Sequence, residues 1–287
     1  MGKIVWIASY PKSGNTWMRV FIEYLLSGRP EVDLNHFAYA GYMASSRRLF
    51  DRISGIRASD LTDDEIEALR PEVYRTVSRR SEERVFLKAH DAYSARLFPA
   101  DATRGAVYLV RNPLDIVVSY AFHVSATPDF DEIVTRVCSP SNAMTTKSHR
   151  LGRQLTVRTG DWSGHVRGWC DELPFRVIAI RYEDLLSDPE TSFTRAAELI
   201  APDADAQAIE RAVSRSGFER LQAFERNRGF LERGYKSRAF FRSGRSGTWR
   251  EHLTATQVQR MVEAHGAEMR RFGYLDEGGS PIDAPSA

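Results

Sequence analysis

A chain of 287 residues with 42% hydrophobic and 27% charged side chains carries enough apolar content for one sizeable globular α/β core. Its 40 basic and 38 acidic residues leave a net charge of only +2, which argues against a general nucleic-acid binder while allowing a local basic pocket. Cys138 and Cys170 lack metal-ligand spacing and are too few for a disulfide framework, and no apolar run approaches membrane-spanning length. The first strand pattern starts near residue 3, with no room ahead of it for a signal peptide or anchor, so the expectation is a cytoplasmic protein with no membrane association.

In chain order, the apolar run 4–8 predicts a buried strand that breaks at Pro11 and Gly14. A helix follows from Thr16 to Ser27, with Gly28 placed as its C-terminal cap. Thr62-Asp-Asp-Glu65 is a capping box that opens a short helix ending before Pro71. Further strands are predicted at 85–87, 106–110 and 175–180. Asn112-Pro113 and Asp188-Pro189 each supply an N-cap and a first-turn proline, for helices reaching Phe122 and Ile200. Thr254 and Gln257 cap a last long helix ending at Gly273. Residues 29–60 and 124–160 read as long irregular segments, expected to be lids that shape an acceptor site. Residues 276–287 read as a disordered tail after one domain spanning 1–275.

Strands alternating with helices imply an α/β fold with a central parallel sheet flanked by helices on both faces. Ligands bind at the carboxyl ends of such strands, and Lys12, His90, Arg111 and Tyr182 all fall there. The strand–loop–helix start is an anion trap. Residues 12–17 (Lys12, Ser13, Gly14, Asn15, Thr16, Trp17) join free backbone N–H groups, a helix dipole and a full lysine charge. The loop lacks the G-x-x-x-x-G-K-[ST] spacing of a nucleoside-triphosphatase P-loop, since Lys12 precedes its Gly. A second anion site is indicated by Arg111 and Ser119, with Ser119 on the same helix face as Asn112.

The run Tyr-Pro-Lys-Ser-Gly-Asn-Thr-Trp at 10–17 closely resembles the 5′-phosphosulfate loop of soluble sulfotransferases, usually Y-P-K-S-G-T-T-W, with Asn15 in place of Thr. The stretch from Arg111 to Tyr120 resembles that family's 3′-phosphate motif, R-N-P-x-D-x-x-x-S-Y. Lys88-Ala89-His90 resembles its K-T-H motif, and residues 181–185 its R-Y-E-D-L strand end. Trp162 to Trp169 resembles its W-x-x-H-V-x-G-W helix, in which the tryptophans read as core packing. Ser216-Gly217-Phe218 resembles the T-S-F element, and residues 242–249 the R-K-G-x-x-G-D-W loop, with Ser243 for Lys and Thr248 for Asp. Together these cover residues 4–273.

The resemblance implies a P-loop-like fold that binds 3′-phosphoadenosine-5′-phosphosulfate (PAPS) and releases adenosine 3′,5′-bisphosphate (PAP). It implies transfer of the sulfuryl group to a hydroxyl or amine of a small phenolic, alcohol, carbohydrate or natural-product acceptor, without a metal. His90 becomes the general base, a role that histidine suits near neutral pH, although a strand-end histidine by itself is more often structural. Lys12 neutralises the leaving phosphate, Lys88 stands near the transferring group, and Ser119 holds Lys12 aside until acceptor binds. Tyr182 and Phe218 contact adenine; Arg111, Ser119, Arg242, Ser243 and Gly244 hold the 3′-phosphate. Arg245 is expected to restore the charge missing at Ser243, within a basic lid that includes Arg238. A P-loop phosphotransferase and a non-catalytic nucleotide-binding protein are the competing readings. Phe37, Tyr39, Tyr42, Phe122 and Phe130 point to an apolar or aromatic acceptor. Of the dimer motif K-x-x-x-T-V-x-x-x-E, only Thr254 is matched, so monomer and homodimer both stay open.

Overall fold

The computed structural model describes residues 2–145, 152–171 and 173–282. Its centre is a five-stranded sheet in the order β2 (Tyr42–Met43), β3 (Val85–Ala89), β1 (Ile4–Ser9), β4 (Thr103–Val110) and β7 (Arg176–Arg181), all parallel. β1 is buried along its whole length, which is why it reads as an unbroken apolar run. Ile4, Trp6 and Ala8 face one core, while Val5 and Ile7 face the other. After β1 the chain builds to one side with β3, then crosses to the other side with β4. The order therefore reverses at β1, and the crevice at its carboxyl end is where an open α/β sheet binds ligands.

The helices α1 (Asn15–Ser27), α8 (Pro189–Ile200) and α9 (Ala206–Arg215) cover one face. The other face is covered by α3 (Asp63–Arg80), α4 (Pro113–Val124), α5 (Phe130–Val137), α6 (Trp162–Cys170) and α11 (Ala255–Arg271). The caps form as the sequence indicates. Asn112 accepts from Leu114 N, Asp188 from Thr191 N, and Gly28 closes α1 in the left-handed region. Both capping boxes are reciprocal, Thr62 with Glu65 and Thr254 with Gln257.

Four expectations are corrected. The helix that begins at Asp63 does not end before Pro71 but runs through it to Arg80. Pro71 costs about 3 kcal/mol of helix stability, and burial of Ile66, Arg70, Val73 and Tyr74 on one stripe offsets it. The segment 29–60 is not wholly irregular: β2 and α2 (Arg47–Ser54) lie in it. β2 is too short to show a period, and α2 buries only Leu49 and Phe50. The segment 124–160 contains α5 and the short antiparallel pair β5 (Ala143–Met144) and β6 (Val157–Arg158); residues 146–151 lie outside the described residues. Part of the expected tail is ordered. Asp276 N donates to Ser280 O and Ile282 N to Tyr274 O, so residues 276–282 form a turn, and 283–287 lie outside the described residues.

Behind the sheet end, Asp91 receives a two-pronged hydrogen bond from Arg70, at 3.1 and 2.7 Å, and both side chains are almost fully buried. The same carboxylate accepts Arg158 N, fixing the residue next to His90. Asp91→Ala would strand the Arg70 charge in the core. Urea unfolding should show a loss of about 3–5 kcal/mol, and a loss under about 1 kcal/mol would contradict the pair's structural weight.

Candidate active site

The loop after β1 is shaped by two residues in the left-handed region, Lys12 (φ +71°) and Gly14 (φ +97°). Gly14 cannot be replaced freely: a Cβ there would stand 2.8 Å from the Tyr182 ring. Asn15 turns its amide inward, donating to Ile7 O at 2.8 Å and Ser9 Oγ at 3.2 Å. Its side chain thus ties the loop to β1, leaving the first N–H groups of α1 free of side-chain caps. Ser13 Oγ is buried without a partner beside them.

Lys12, Gly14, Asn15, Thr16, Trp17, Lys88, His90, Arg111, Ser119, Tyr182, Phe218, Arg242, Ser243 and Gly244 line one cavity of about 220 Å³. Of the site residues expected from sequence, Ser13 is off this wall, fully buried beneath it. Lys12 Nζ lies 4.1 Å over the Phe240 ring, and burial together with the charges of Lys88 and Arg111 lowers its pKa to about 7. Lys88 Nζ stands 2.8 Å from Glu232 Oε2. His90 Nδ1 donates to Ser9 O at 2.8 Å. A carbonyl only accepts, so the proton is on Nδ1 and Nε2 keeps its lone pair. Burial and the neighbouring Lys88 hold the His90 pKa down at about 3, so the ring is neutral at ordinary pH. His165 Nε2 contacts His90 O at 3.2 Å, from a helix whose Trp162 and Trp169 are fully buried core residues.

Arg111 joins two loops, donating to Lys12 O at 3.1 Å and to Arg245 O at 3.0 Å while its guanidinium lies 4.2 Å over the Tyr182 ring. Its Nε is buried and unpartnered. Arg242 lies over Phe122 at 4.5 Å, and burial plus the charges of Arg111 and Arg245 lower its pKa. Asp115 pins the glycine-rich loop by accepting Gly247 N, Thr248 Oγ1 and Trp249 N at 2.7–3.1 Å. Thr248 therefore fits where an aspartate is usual, since a hydroxyl can donate to that carboxylate. Gly244 (φ +60°) lies under Phe218, whose ring a Cβ would meet at 2.6 Å.

The expected basic lid is corrected. Arg245 is 64% exposed and faces Glu251 at 3.7 Å, and Arg238 is exposed with its carbonyl accepting from Arg233; neither lines the cavity. The positive charge at this end comes from Arg111 and Arg242. Nor do Phe37, Tyr39, Tyr42, Phe122 and Phe130 line the cavity. Phe37 lies under Arg19, Phe122 packs with Phe130 and His252, and Tyr39 and Tyr42 face outward. Met43, Met144 and Phe240, with Ser45 and Gln154, form the wall beyond His90 instead.

Three contributors carried no sequence signal. Glu232 comes from a stretch that matches none of the motifs above. Glu225 on α10 (Phe218–Arg228) accepts the N–H groups of Phe240 and Phe241. His123, four residues after Ser119, turns onto the cavity with Nδ1 buried and unpartnered.

The sulfotransferase domain family model matches residues 3–273. An amine sulfotransferase of Oryctolagus cuniculus is 22% identical over 276 residues, covering 93% of this chain and 81% of its own length. A flavonol 3-sulfotransferase of Flaveria bidentis is 22% identical, covering 90% and 78%. Among solved structures, retinol dehydratase with androsterone and the inactive cofactor PAP superposes with a TM-score of 0.62 at 18% identity, covering 93% of this chain and 81% of that one. No helix of the described residues is long and apolar enough to cross a membrane. With its central parallel sheet, its phosphosulfate-type loop and a family match over nearly its whole length, the chain belongs to the sulfotransferase domain family, PAPS-dependent enzymes of sulfuryl transfer.

Proposed function

We propose that this chain transfers the sulfuryl group of PAPS to a hydroxyl or amine of a small apolar acceptor, with His90 as general base. The observation that carries the reading is the meeting of Lys12, His90 and Arg111 on one cavity wall, from the ends of three adjacent parallel strands. The residues suit the donor: Ser13 Oγ and Arg111 Nε are buried polar atoms without partners, and the loop N–H groups lack side-chain caps. When bound, PAPS supplies an activated sulfuryl group on a phosphate leaving group. The 5′ end belongs to Lys12 and the N–H groups of residues 13–17, the 3′-phosphate to Arg111, Ser119, Arg242 and Ser243, and the adenine to Tyr182 and Phe218.

His90 Nε2 takes the acceptor proton as the acceptor atom bonds to sulfur. Lys12 and the helix N–H groups carry the charge that builds on the departing phosphate oxygen, and Lys88 steadies the sulfuryl oxygens. Ser119 shares the cavity with Lys12, whose ammonium rests on Phe240, so a hold of Ser119 on Lys12 belongs to the donor-bound state. The acceptor lies against Met43, Met144 and Phe240, a wall fit for an apolar scaffold. This fits the relatives, which are named for amines and flavonols. A phosphotransferase reading lacks the Walker spacing.

His90→Ala should slow sulfation roughly 100–10,000-fold while calorimetric PAP affinity stays unchanged; near-normal turnover would remove His90 as the base. A second outcome concerns pH. In the free enzyme Lys12 titrates at about 7, and a bound phosphate would draw its pKa back up. Between those two values binding takes up a proton, so PAP affinity should fall as pH rises above about 7, by up to tenfold per unit. Calorimetry in buffers of different ionisation heat should show that uptake in the native chain and its loss in Lys12→Met; equal uptake in both would assign it elsewhere.

A further inference from the structure

The segment 229–241 touches both lysines of the site. Its Phe240 ring lies 4.1 Å from Lys12 Nζ, and its Glu232 carboxylate spans Lys88 Nζ at 2.8 Å and Arg19 Nη1 at 2.6 Å. We propose that Glu232 is a positioning residue for the transfer: it clamps Lys88 onto the fixed guanidinium of Arg19 and so sets where the ammonium stands in the cavity. This deepens the reading above and rests on its placement of Lys88 beside the sulfuryl group.

The anchor is rigid. Arg19 is buried on α1, donates through Nε to Ala40 O at 2.7 Å, and lies 4.6 Å from the Phe37 ring. The backbone it grips is held in turn by Glu23, whose carboxylate accepts Ala38 N, Tyr39 N and Ala40 N. Lysine alone is a point charge on a flexible stem, and only a fixed counter-charge gives it a set position. The charged and titratable groups coupled to this pair are Lys12 from the loop, Arg19 from α1, His90 just beyond β3 and His123 from α4, while Arg111 and Glu225 act on Lys12. Burial and Arg19 push the Lys88 ammonium toward neutrality, and Glu232 opposes them. Lys88 and Arg19 hold Glu232 far below the usual carboxylate range, so the clamp stays charged wherever the enzyme works.

The test is Glu232→Gln in the full-length enzyme. Turnover should fall roughly 10–100-fold, as for other groups that orient a charged functional side chain. The basic limb of the kcat profile should move down by about one pH unit or more, because Lys88 now loses its proton earlier. PAP affinity should hold or tighten, since a competing anion has left the cavity. In a Lys88→Arg background the same substitution should leave the limb in place, because guanidinium does not titrate there. A Gln variant with native turnover and pH profile would overturn the proposal, as would parallel loss of PAP affinity, the mark of a collapsed segment. Should Glu232→Gln not fold, Glu232→Asp keeps the charge one methylene short: reduced kcat with PAP affinity held supports the clamp, and native kcat refutes it. Lys88→Met with full turnover would instead remove the reading of Lys88 beneath it.

Discussion

Repulsion among buried cations is the constraint that organises this molecule's working end. Lys12, Lys88, Arg111 and Arg242 share one cavity wall, and their charges lower the pKa of at least two members of the group. Two like charges about 6 Å apart in a medium of effective dielectric about 20 cost roughly 3 kcal/mol, a large share of a domain's net stability. The fold bears that cost by fixing each cation to something rigid: Arg111 to two carbonyls, Arg242 to an aromatic face, Lys88 to Glu232, Lys12 to Phe240. A polyanion with phosphate at both ends is what relieves such a field, and the site is preorganised for it.

The sheet supplies the placement. Parallel strands end in register, so residues following β1, β3 and β4 come together although 99 positions separate Lys12 from Arg111. The reversal of strand order beside β1 leaves the crevice open, and the helix dipole of α1 points into it. The same burial that lowers the Lys12 pKa keeps His90 neutral, so one desolvated cavity shifts both side chains toward their uncharged forms.

Much of this was legible in the sequence where a local rule spoke. Unbroken apolar runs gave the four long strands, caps gave the helix starts, and the loop and Arg111 motifs gave residues that meet on one cavity wall. What escaped was decided by tertiary contact. Pro71 reads as a stop, yet the stripe through Ile66, Arg70, Val73 and Tyr74 carries the helix past it. β2 has two residues, too few for a period, and exists because β3 offers an unpaired edge. Glu232 stands in a polar stretch, and only the fold shows that its carboxylate is turned inward. Arg245 erred in the opposite sense: its place beside Arg242 in sequence suggested a shared ligand, while its backbone carbonyl is the part that Arg111 uses.

The turn at 274–282 reaches further than its position suggests. Tyr274 is fully buried, and its hydroxyl donates to Glu183 Oε2 at 2.9 Å, while Glu183 Oε1 accepts Asn112 N at 3.1 Å. Asn112 Nδ2 then meets Ile282 O at 3.5 Å. Asn112 is the neighbour of Arg111 and the cap of α4, so the last described residues brace the backbone that aims the guanidinium. Trimming the chain at the family's own boundary, residue 273, would leave Glu183 half-partnered in a buried pocket and release that brace. The stretch that steadies Arg111 is therefore longer than the family match over residues 3–273.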